Sequence, residues 1–282
     1  MDKDTADRPL PVMDTPYQPP QEGGVRPVMP NLGLLAPLRW LRSGFQDMRS
    51  HPGIAAFYGI SFMLMAQVLG YVFRRAPEYT LTLVSGCLLV GPFMAMGLYE
   101  VSRRKEQGVA CELSDSLTCW DSHIRSMAML VLVLMVLELL WGRASLVVFA
   151  VFFNTGMPST TGVVEAIFNP ENLEFVLVYL AIGSVFATLV YALAVVSIPM
   201  ILDRDTDAIS ATITSVGVVF TNPMVMLFWG GLICLLIALA LWPAAWGLLL
   251  VGPWLGHASW HAYRDCVRWP DADAKLIQSS PI

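Results

Sequence analysis

A seven-residue segment occurs twice in this chain with a single difference, as "GCLLVGP" at residues 86–92 and as "GLLLVGP" at residues 247–253. The match continues without a gap through "FMAMGLYEVSRR" and "WLGHASWHAYRD", so residues 86–104 align with residues 247–265. Each copy is an apolar run that contains a proline and ends in charged residues. This pattern is typical of a membrane-spanning helix that reaches an aqueous surface. A weaker third copy, "LAVVSIPMILDRDTDAISA" at residues 193–211, has Pro199 in the proline position.

The composition places the whole chain in a membrane. Its 282 residues are 56% hydrophobic and 14% charged, whereas soluble domains carry about 25% charged residues. The net charge of −5 excludes a general nucleic-acid-binding protein. The five cysteines form no CxxC pair, so neither a disulfide framework nor a zinc site is expected.

The apolar runs predict six membrane spans. They cover about residues 54–73, 79–101, 126 onward, 173–202, 224–242 and 244–264. The segment "SLVVFAVFF" (145–153) either extends the third span or lies along the membrane interface. The longest external connection is the loop 154–172.

The odd-numbered spans also begin alike, at residues 49–59, 121–131 and 220–230. A short semi-apolar segment precedes each of them and is interpreted as an interfacial amphipathic helix. The predicted fold class is therefore all-α: a polytopic membrane helix bundle of six transmembrane helices in three parallel two-helix repeats with short interfacial helices. The repeats cover about residues 38–105, 113–205 and 206–268.

The distribution of basic residues predicts the orientation. Residues 103–105 are all basic and lie on the same side as both termini, whereas the other side has only Arg74, Arg75 and Arg143. By the positive-inside rule, both termini are cytoplasmic in a bacterial inner membrane. The predicted domains are a disordered cytoplasmic tail (1–37), the membrane domain (38–268) and a C-terminal cytoplasmic tail (269–282).

The repeated prolines have a local consequence. Pro92 and Pro253 cannot donate a hydrogen bond to the carbonyl four residues earlier, so each helix should kink there. The preceding Gly91 and Gly252 should permit close approach of a neighbouring helix. Two interpretations stay open: tightly packed kinked helices, or kinked helices around a central site with freed carbonyls facing it. Pro199 would kink the fourth span in the same way.

The histidines are candidate cofactor ligands. His257 and His261 are four residues apart and share a helix face, a spacing that can serve a metal or haem. His51 and His123 open the first and third spans, so all four histidines could meet at the cytoplasmic rim. The alternative is that they contact lipid headgroups and cap helix ends at the interface, and no cofactor or metal is predicted.

Charged residues inside or beside the membrane are the other candidates. Glu138 and Arg143 lie in the outer part of the third span, where charge usually marks a cavity or a pathway. The alternative is that they reach the outer headgroups. An inner rim of mixed charge is predicted where the even-numbered spans end. Its members are Glu100, Arg103, Arg104, Asp203, Arg204, Asp205, Asp207, His261, Arg264 and Asp265.

This rim is either solvated or a face that binds headgroups or a partner. Glu100 can bridge to Arg103 and Arg104 at i+3 and i+4. The sequence contains no nucleophile elbow, P-loop, dinucleotide fingerprint, HExxH motif or paired carboxylates. No catalytic residue is therefore predicted.

Several strings carry a resemblance to a known family. They are "HPGIAAFYG", "YTLTLVSGCLLVGPFMAMGLYEVSRR", "VVSIPMILDRDTDAISA", "NPMVMLFWG" and "LLVGPWLGHASWHAYRD". Together, over about residues 38–268, they resemble an uncharacterised bacterial integral-membrane family that is a domain of unknown function. The resemblance implies an inner-membrane protein of about six spans with no established activity. Some members carry the label cytochrome c oxidase subunit I, but four histidines are too few for the metal centres of that subunit.

Three functions are therefore weighed. The first is a non-catalytic accessory, assembly or scaffold component of a larger membrane complex, a respiratory one included, with the lipid bilayer as its other partner. The second is a transporter or channel for an ion or small solute, with Glu138 and the kinked helices along the pathway. The third is a haem or metal protein that uses His257 and His261.

Overall fold

The structure, a computed structural model, describes residues 27–76, 79–153 and 172–269. In these ranges the regular secondary structure is helical, which confirms the all-α prediction. Residues 29–268 form one compact unit. The second unit consists of residues 1–28 and 269–282 and lies almost wholly outside the described ranges, as does the loop 154–172.

The helices follow one another with short connections. They are α1 (Ala36–Ser50), α2 (Pro52–Arg75), α3 (Thr80–Glu106), α4 (Leu113–Thr118), α5 (Ile124–Phe152), α6 (Leu173–Ala194), α7 (Ser197–Arg204), α8 (Ala208–Thr221), α9 (Pro223–Ala240) and α10 (Leu248–Cys266). The ambiguous segment 145–153 belongs almost entirely to α5, so it extends the third span.

Five helical segments of the described chain are long and apolar enough to cross a membrane. They are Pro52–Arg75, Thr82–Glu106, Leu113–Phe152, Leu173–Arg204 and Pro223–Ala240. The predicted sixth span, 244–264, corresponds to α10, which begins later because residues 241–247 form a turn. The second half of α10 is rich in polar and aromatic residues, so a count of six spans stays a prediction.

Two of the predicted interfacial segments lead into their spans through the same local geometry. α1 meets α2 at His51, with φ −128° and ψ 62°, and α8 meets α9 at Asn222, with φ −127° and ψ 56°. A proline follows each, at the first helical position, where its missing N–H costs nothing. The same hinge therefore joins two helix pairs that the sequence aligns.

The helix of the predicted fourth span is interrupted near Pro199, within the apolar segment Leu173–Arg204. α6 ends at Ala194, and Pro199 lies in the first turn of the separate helix α7. Pro199 cannot donate to the carbonyl of Val195, so the helix breaks at that point rather than bending. Ser215 of α8 stabilises the break, since its hydroxyl accepts a hydrogen bond from the Val196 N–H at 3.2 Å.

Helix α10 packs against five other helices. It packs most extensively against α1 and α2, then against α3, and also contacts α7 and α9. Two glycines allow the backbone of α10 to approach closely. A side chain on Gly44 would overlap the backbone of Ala258, and one on Gly59 would overlap the carbonyl oxygen of Leu249. Small residues permit such backbone contact between membrane helices.

Candidate functional site

Four buried polar side chains, those of Asp47, Glu100, Ser102 and His257, lie with half-buried and exposed partners near the ends of α1, α3, α7 and α10, and we call the whole group the polar cluster. Its members are Asp47, Glu100, Ser102, Arg103, Arg104, Lys105, Glu106, Asp203, His257, His261 and Arg264. Buried charges persist only when they are paired and hydrogen-bonded. The partners of each group therefore show what the cluster does.

Glu100 anchors the end of α3. Its two carboxylate oxygens accept hydrogen bonds from the Nε atoms of Arg103 and Arg104, each at 2.7 Å. Arg104 also pairs with Asp115 of α4 at 2.8 Å, and Arg103 donates to the carbonyl of Leu202 in α7 at 3.4 Å. Glu100 is only 2% exposed, so it differs from the solvated rim residue that one interpretation of the sequence expected.

Asp47 ties α1 to α3 and α10. Its carboxylate accepts hydrogen bonds from Lys105 Nζ and His261 Nε2, each at 2.8 Å, and from Ser102. Burial alone would raise the pKa of this carboxyl, but the bonds from His261 and Lys105 outweigh burial and lower the pKa to about 2. Asp47 is therefore an anion at neutral pH in a site that is 5% exposed.

His257, four residues before His261 on α10, is also buried. Its Nδ1 lies 2.8 Å from the Ser102 hydroxyl, and neither residue is more than 1% exposed. Its Nε2 is buried and has no hydrogen-bond partner among residues 27–76, 79–153 and 172–269. His257 is therefore not in contact with lipid headgroups, as one interpretation of the sequence expected, because α1 and α3 cover this turn of α10.

Arg264 connects α10 to two other helices. Its guanidinium donates to Glu106 of α3 at 3.0 and 3.1 Å and lies 3.7 Å from Asp203 of α7. Trp260 Nε1 donates to the other oxygen of Glu106 at 3.1 Å, and the Tyr263 hydroxyl donates to Asp203 at 2.7 Å. The cluster therefore holds three helix ends together by charge-assisted hydrogen bonds.

The remaining residues of the predicted rim have other roles. Arg204 lies 3.5 Å from Asp203, and Asp207 caps α8 by accepting hydrogen bonds from the Ile209 and Ser210 N–H groups. The bonds from Ser210 lower the pKa of Asp207. Asp265 accepts from Trp40 Nε1 at 2.7 Å.

The glycines beside the repeated prolines do not behave alike. At Gly91 an added Cβ would meet nothing within 4 Å, so the predicted close helix approach is absent there. At Gly252 it would lie 2.7 Å from the ring of Phe62, which is a side chain and not a neighbouring backbone. Pro92 and Pro253 lie inside α3 and α10, and the carbonyl that Pro253 frees, that of Leu249, faces Gly59 of α2.

Of the intramembrane charges, Glu138 points toward the bundle. The Ser85 hydroxyl of α3 donates to its Oε2 at 3.1 Å, and Glu138 is half-buried. Arg143 is exposed. Neither residue lines the two grooves described below.

The histidines have separate partners. His51 Nδ1 lies 3.1 Å from the Ser50 hydroxyl, and His123 Nε2 lies 3.8 Å from Asp205. No group of three His, Cys, Asp or Glu side chains in the described part of the chain is arranged to hold a metal ion. His257 and His261 instead form hydrogen bonds with Ser102 and Asp47, respectively.

Several residues of the cluster were not singled out from the sequence, and Asp47 is the clearest case. It lies on the same face of α1 as Trp40, Gly44 and Met48, all of which are buried. Asp47 comes three residues after Gly44 and seven after Trp40, so its carboxylate lies within an apolar stripe. A carboxylate in such a stripe indicates that its partner is in another element. Ser102 carries no comparable signal, because serine is ordinary in a membrane helix.

Two grooves with almost wholly apolar walls lie along the helices. The first, which we call the α5 groove, has a volume of about 770 Å³ and lies among α2, α3, α4 and α5. Its walls include Phe57, Phe93, Trp120, Ala128 and Leu132. The second, of about 390 Å³, lies among α2, α3, α9 and α10, beside Gly252.

The comparison with protein families finds a match over the middle of the chain. Residues 80–203 are similar to a family described as predicted integral membrane protein (DUF2189), a domain of unknown function. This match confirms the resemblance to an uncharacterised integral-membrane family over α3 to α7. No curated protein and no solved structure matches the chain. With its five apolar helical segments, the chain is an integral membrane protein.

Proposed function

We propose that the protein is a non-catalytic subunit of a larger complex in the bacterial inner membrane, where it acts as an accessory, assembly or scaffold component with both termini in the cytoplasm. The observation that carries the proposal is the surface of α6. Phe175 is the single buried residue among the 22 of this helix. Ten of the other residues are exposed, so a large part of this mainly apolar helix is available to lipid or to another protein.

The exposed face of α6 has the residue types that membrane helices use for mutual contact. Ala181, Ser184 and Thr188 are exposed and lie three and four residues apart, so they form one stripe. Small side chains let two helix backbones approach closely, and packing drives association where both surfaces are apolar. Trp141 of α5 packs against Gly183 on another face of α6 and fixes its rotation.

The polar cluster supports a structural role in the same way. Its carboxylates are engaged by cations, hydroxyls or indoles of the same chain. A cluster of this kind holds helix ends in place, and such rigidity suits a scaffold.

The test is site-specific photocrosslinking in native membranes. A photoreactive residue at Ser184 should give one discrete protein adduct. The same residue at Leu64, which is 50% exposed on α2, should give none. Ser184→Trp should remove the chain from its complex in mild detergent, whereas Leu64→Trp should not. A particle with the mass of one chain, unchanged by either substitution, would contradict the proposal.

A second candidate function, an ion or proton pathway, is favoured by the contact between Ser85 and Glu138. A carboxylate that faces another helix at this depth is the usual element of such a pathway. Glu138→Gln should then abolish flux into proteoliposomes, and Glu174→Gln, at the exposed start of α6, should preserve it. Equal flux in both variants and in protein-free vesicles would exclude this function.

A further inference from the structure

We propose that the α5 groove binds one phospholipid with an anionic headgroup, whose acyl chain lies in the groove and whose phosphate pairs with Arg125. This inference is independent of the role as a complex subunit. It rests on the length of the groove, the chemistry of its walls and the charge at its end.

The groove has the depth of one bilayer leaflet. Along α5 its walls run from Ile124 to Met135, which is about 16 Å at 1.5 Å per residue. The hydrocarbon core of a bilayer is about 30 Å thick, so one leaflet is about 15 Å deep. An acyl chain that enters at Ile124 therefore fills the groove along its whole length.

The walls favour hydrocarbon and offer little to a polar ligand. The Ser61 hydroxyl donates to the carbonyl of Phe57, and the Tyr58 hydroxyl lies 2.7 Å from that of Ser116. Trp120 Nε1 donates to the carbonyl of Leu117 at 2.7 Å. These polar atoms already have partners, so the part of the ligand inside the groove contacts carbon.

A cation follows the first groove residue of α5. Arg125 is in the first turn of α5, three residues before Ala128 and seven before Leu132, so it lies on the same side of the helix as these two groove residues. It is exposed and has no ion pair or hydrogen bond to any residue that the structure describes. Trp120, five residues before Arg125, lines the groove, and tryptophan is common at the headgroup level of a membrane.

The surrounding charges leave Arg125 available. Arg103 and Arg104 are bound to Glu100, and Asp121, four residues before Arg125, is exposed and forms no ion pair with it in the described structure. The start of α5 has no side-chain cap, so its first N–H groups add to the positive potential there. An unpaired cation above a groove one leaflet deep matches an anionic amphiphile.

The experiment is native mass spectrometry of the full-length protein in mild detergent. It is titrated with phosphatidylglycerol or phosphatidylcholine of identical acyl chains. The wild type should retain one lipid and prefer phosphatidylglycerol about fivefold, as expected for one basic residue near a headgroup. Arg125→Gln should remove the preference but keep the lipid, and Asp121→Asn should preserve or increase the preference.

Ala128→Trp, which fills the groove, should abolish retention of both lipids. Ala150→Trp, the same change at an exposed position of α5 outside the groove, should not. Leu132→Trp is a second filling variant, and the melting temperature of each variant establishes that it is folded. Equal binding by Ala128→Trp and Ala150→Trp would overturn the site. An unchanged preference in Arg125→Gln would overturn the role of Arg125, and a crosslink from Ala128 to another protein would assign the groove to a partner helix.

Discussion

The substitution Asp47→Asn tests whether the polar cluster stabilises the bundle. The change keeps the volume of the side chain but removes the negative charge that accepts hydrogen bonds from Lys105, His261 and Ser102. The ordinary pKa of 3.8 and the folded value of about 2 correspond to about 2 kcal/mol at neutral pH. Lys105 is 35% exposed, and solvent there screens its charge, so about 2 kcal/mol is an upper value.

The pH dependence has a definite sign. Because folding lowers the pKa of Asp47, its contribution is complete well above pH 3.8 and is lost as the pH falls through about 2. About half of the contribution should therefore remain at pH 3. The difference in unfolding free energy between wild type and Asp47→Asn should be constant from pH 5 to pH 7 and shrink below pH 4.

The assay is reversible unfolding of the purified protein in mixed micelles, with a melting curve as a second measure. A loss of about 2 kcal/mol corresponds to a fall of about 4–8 °C in melting temperature for a chain of this size. Asp121→Asn, at an exposed carboxylate outside the cluster, is the matched control and should change neither quantity. In a Lys105→Met background, Asp47→Asn should cost less, since the two side chains share an interaction. Equal losses in both backgrounds, or no loss at pH 7, would refute the role assigned to Asp47.

Three further substitutions probe the packing around α10 by the same unfolding assay. Gly59→Ala should lower the unfolding free energy by about 3 kcal/mol or more, because the new Cβ overlaps a carbonyl of α10. Gly53→Ala in the same helix has open space around the new Cβ and should leave the unfolding free energy unchanged. Similar losses in the two variants would contradict the contact at Gly59. Ser102→Ala should cost about 1–3 kcal/mol, because it leaves the buried Nδ1 of His257 without its partner, and no loss would mean that the bond is not formed. Trp254→Phe removes a donor to a carbonyl of α1 and should cost about 1 kcal/mol, with faster proteolysis of α1 as the second readout.

Local patterns were sufficient to predict most of the helices. The apolar runs and the prolines at positions 52 and 223 set where spans begin, since proline fits the first turn of a helix and little else within it. The pairing of Glu100 with Arg103 and Arg104 was also predictable, because i+3 and i+4 neighbours meet on any helix. In each case the residues that interact are close in sequence.

Contacts between segments that are distant in the chain could not be predicted from the sequence. His257 meets Ser102, and Asp47 meets His261, across separations that no periodicity encodes. The sequence placed His257 near an aqueous surface because its neighbours include Trp260 and Arg264. Its burial depends instead on α1 lying over this part of α10, where Gly44 contacts Ala258.

The two copies of the repeated segment, at residues 86–92 and 247–253, have different surroundings in the structure. This difference bears on whether the bundle encloses a pathway. In α3 the space beside Gly91 is open, whereas in α10 the carbonyl that Pro253 frees lies against Gly59. Three equivalent kinked helices around an axis would each face the same central space. Here α10 packs among α1, α2, α3, α7 and α9, and the freed carbonyl lies against Gly59 of α2. The two copies therefore share a sequence without sharing an environment. A pathway that includes Glu138 would pass the contact between α3 and α5, where Ser85 donates to its carboxylate, and not the freed carbonyl of α10.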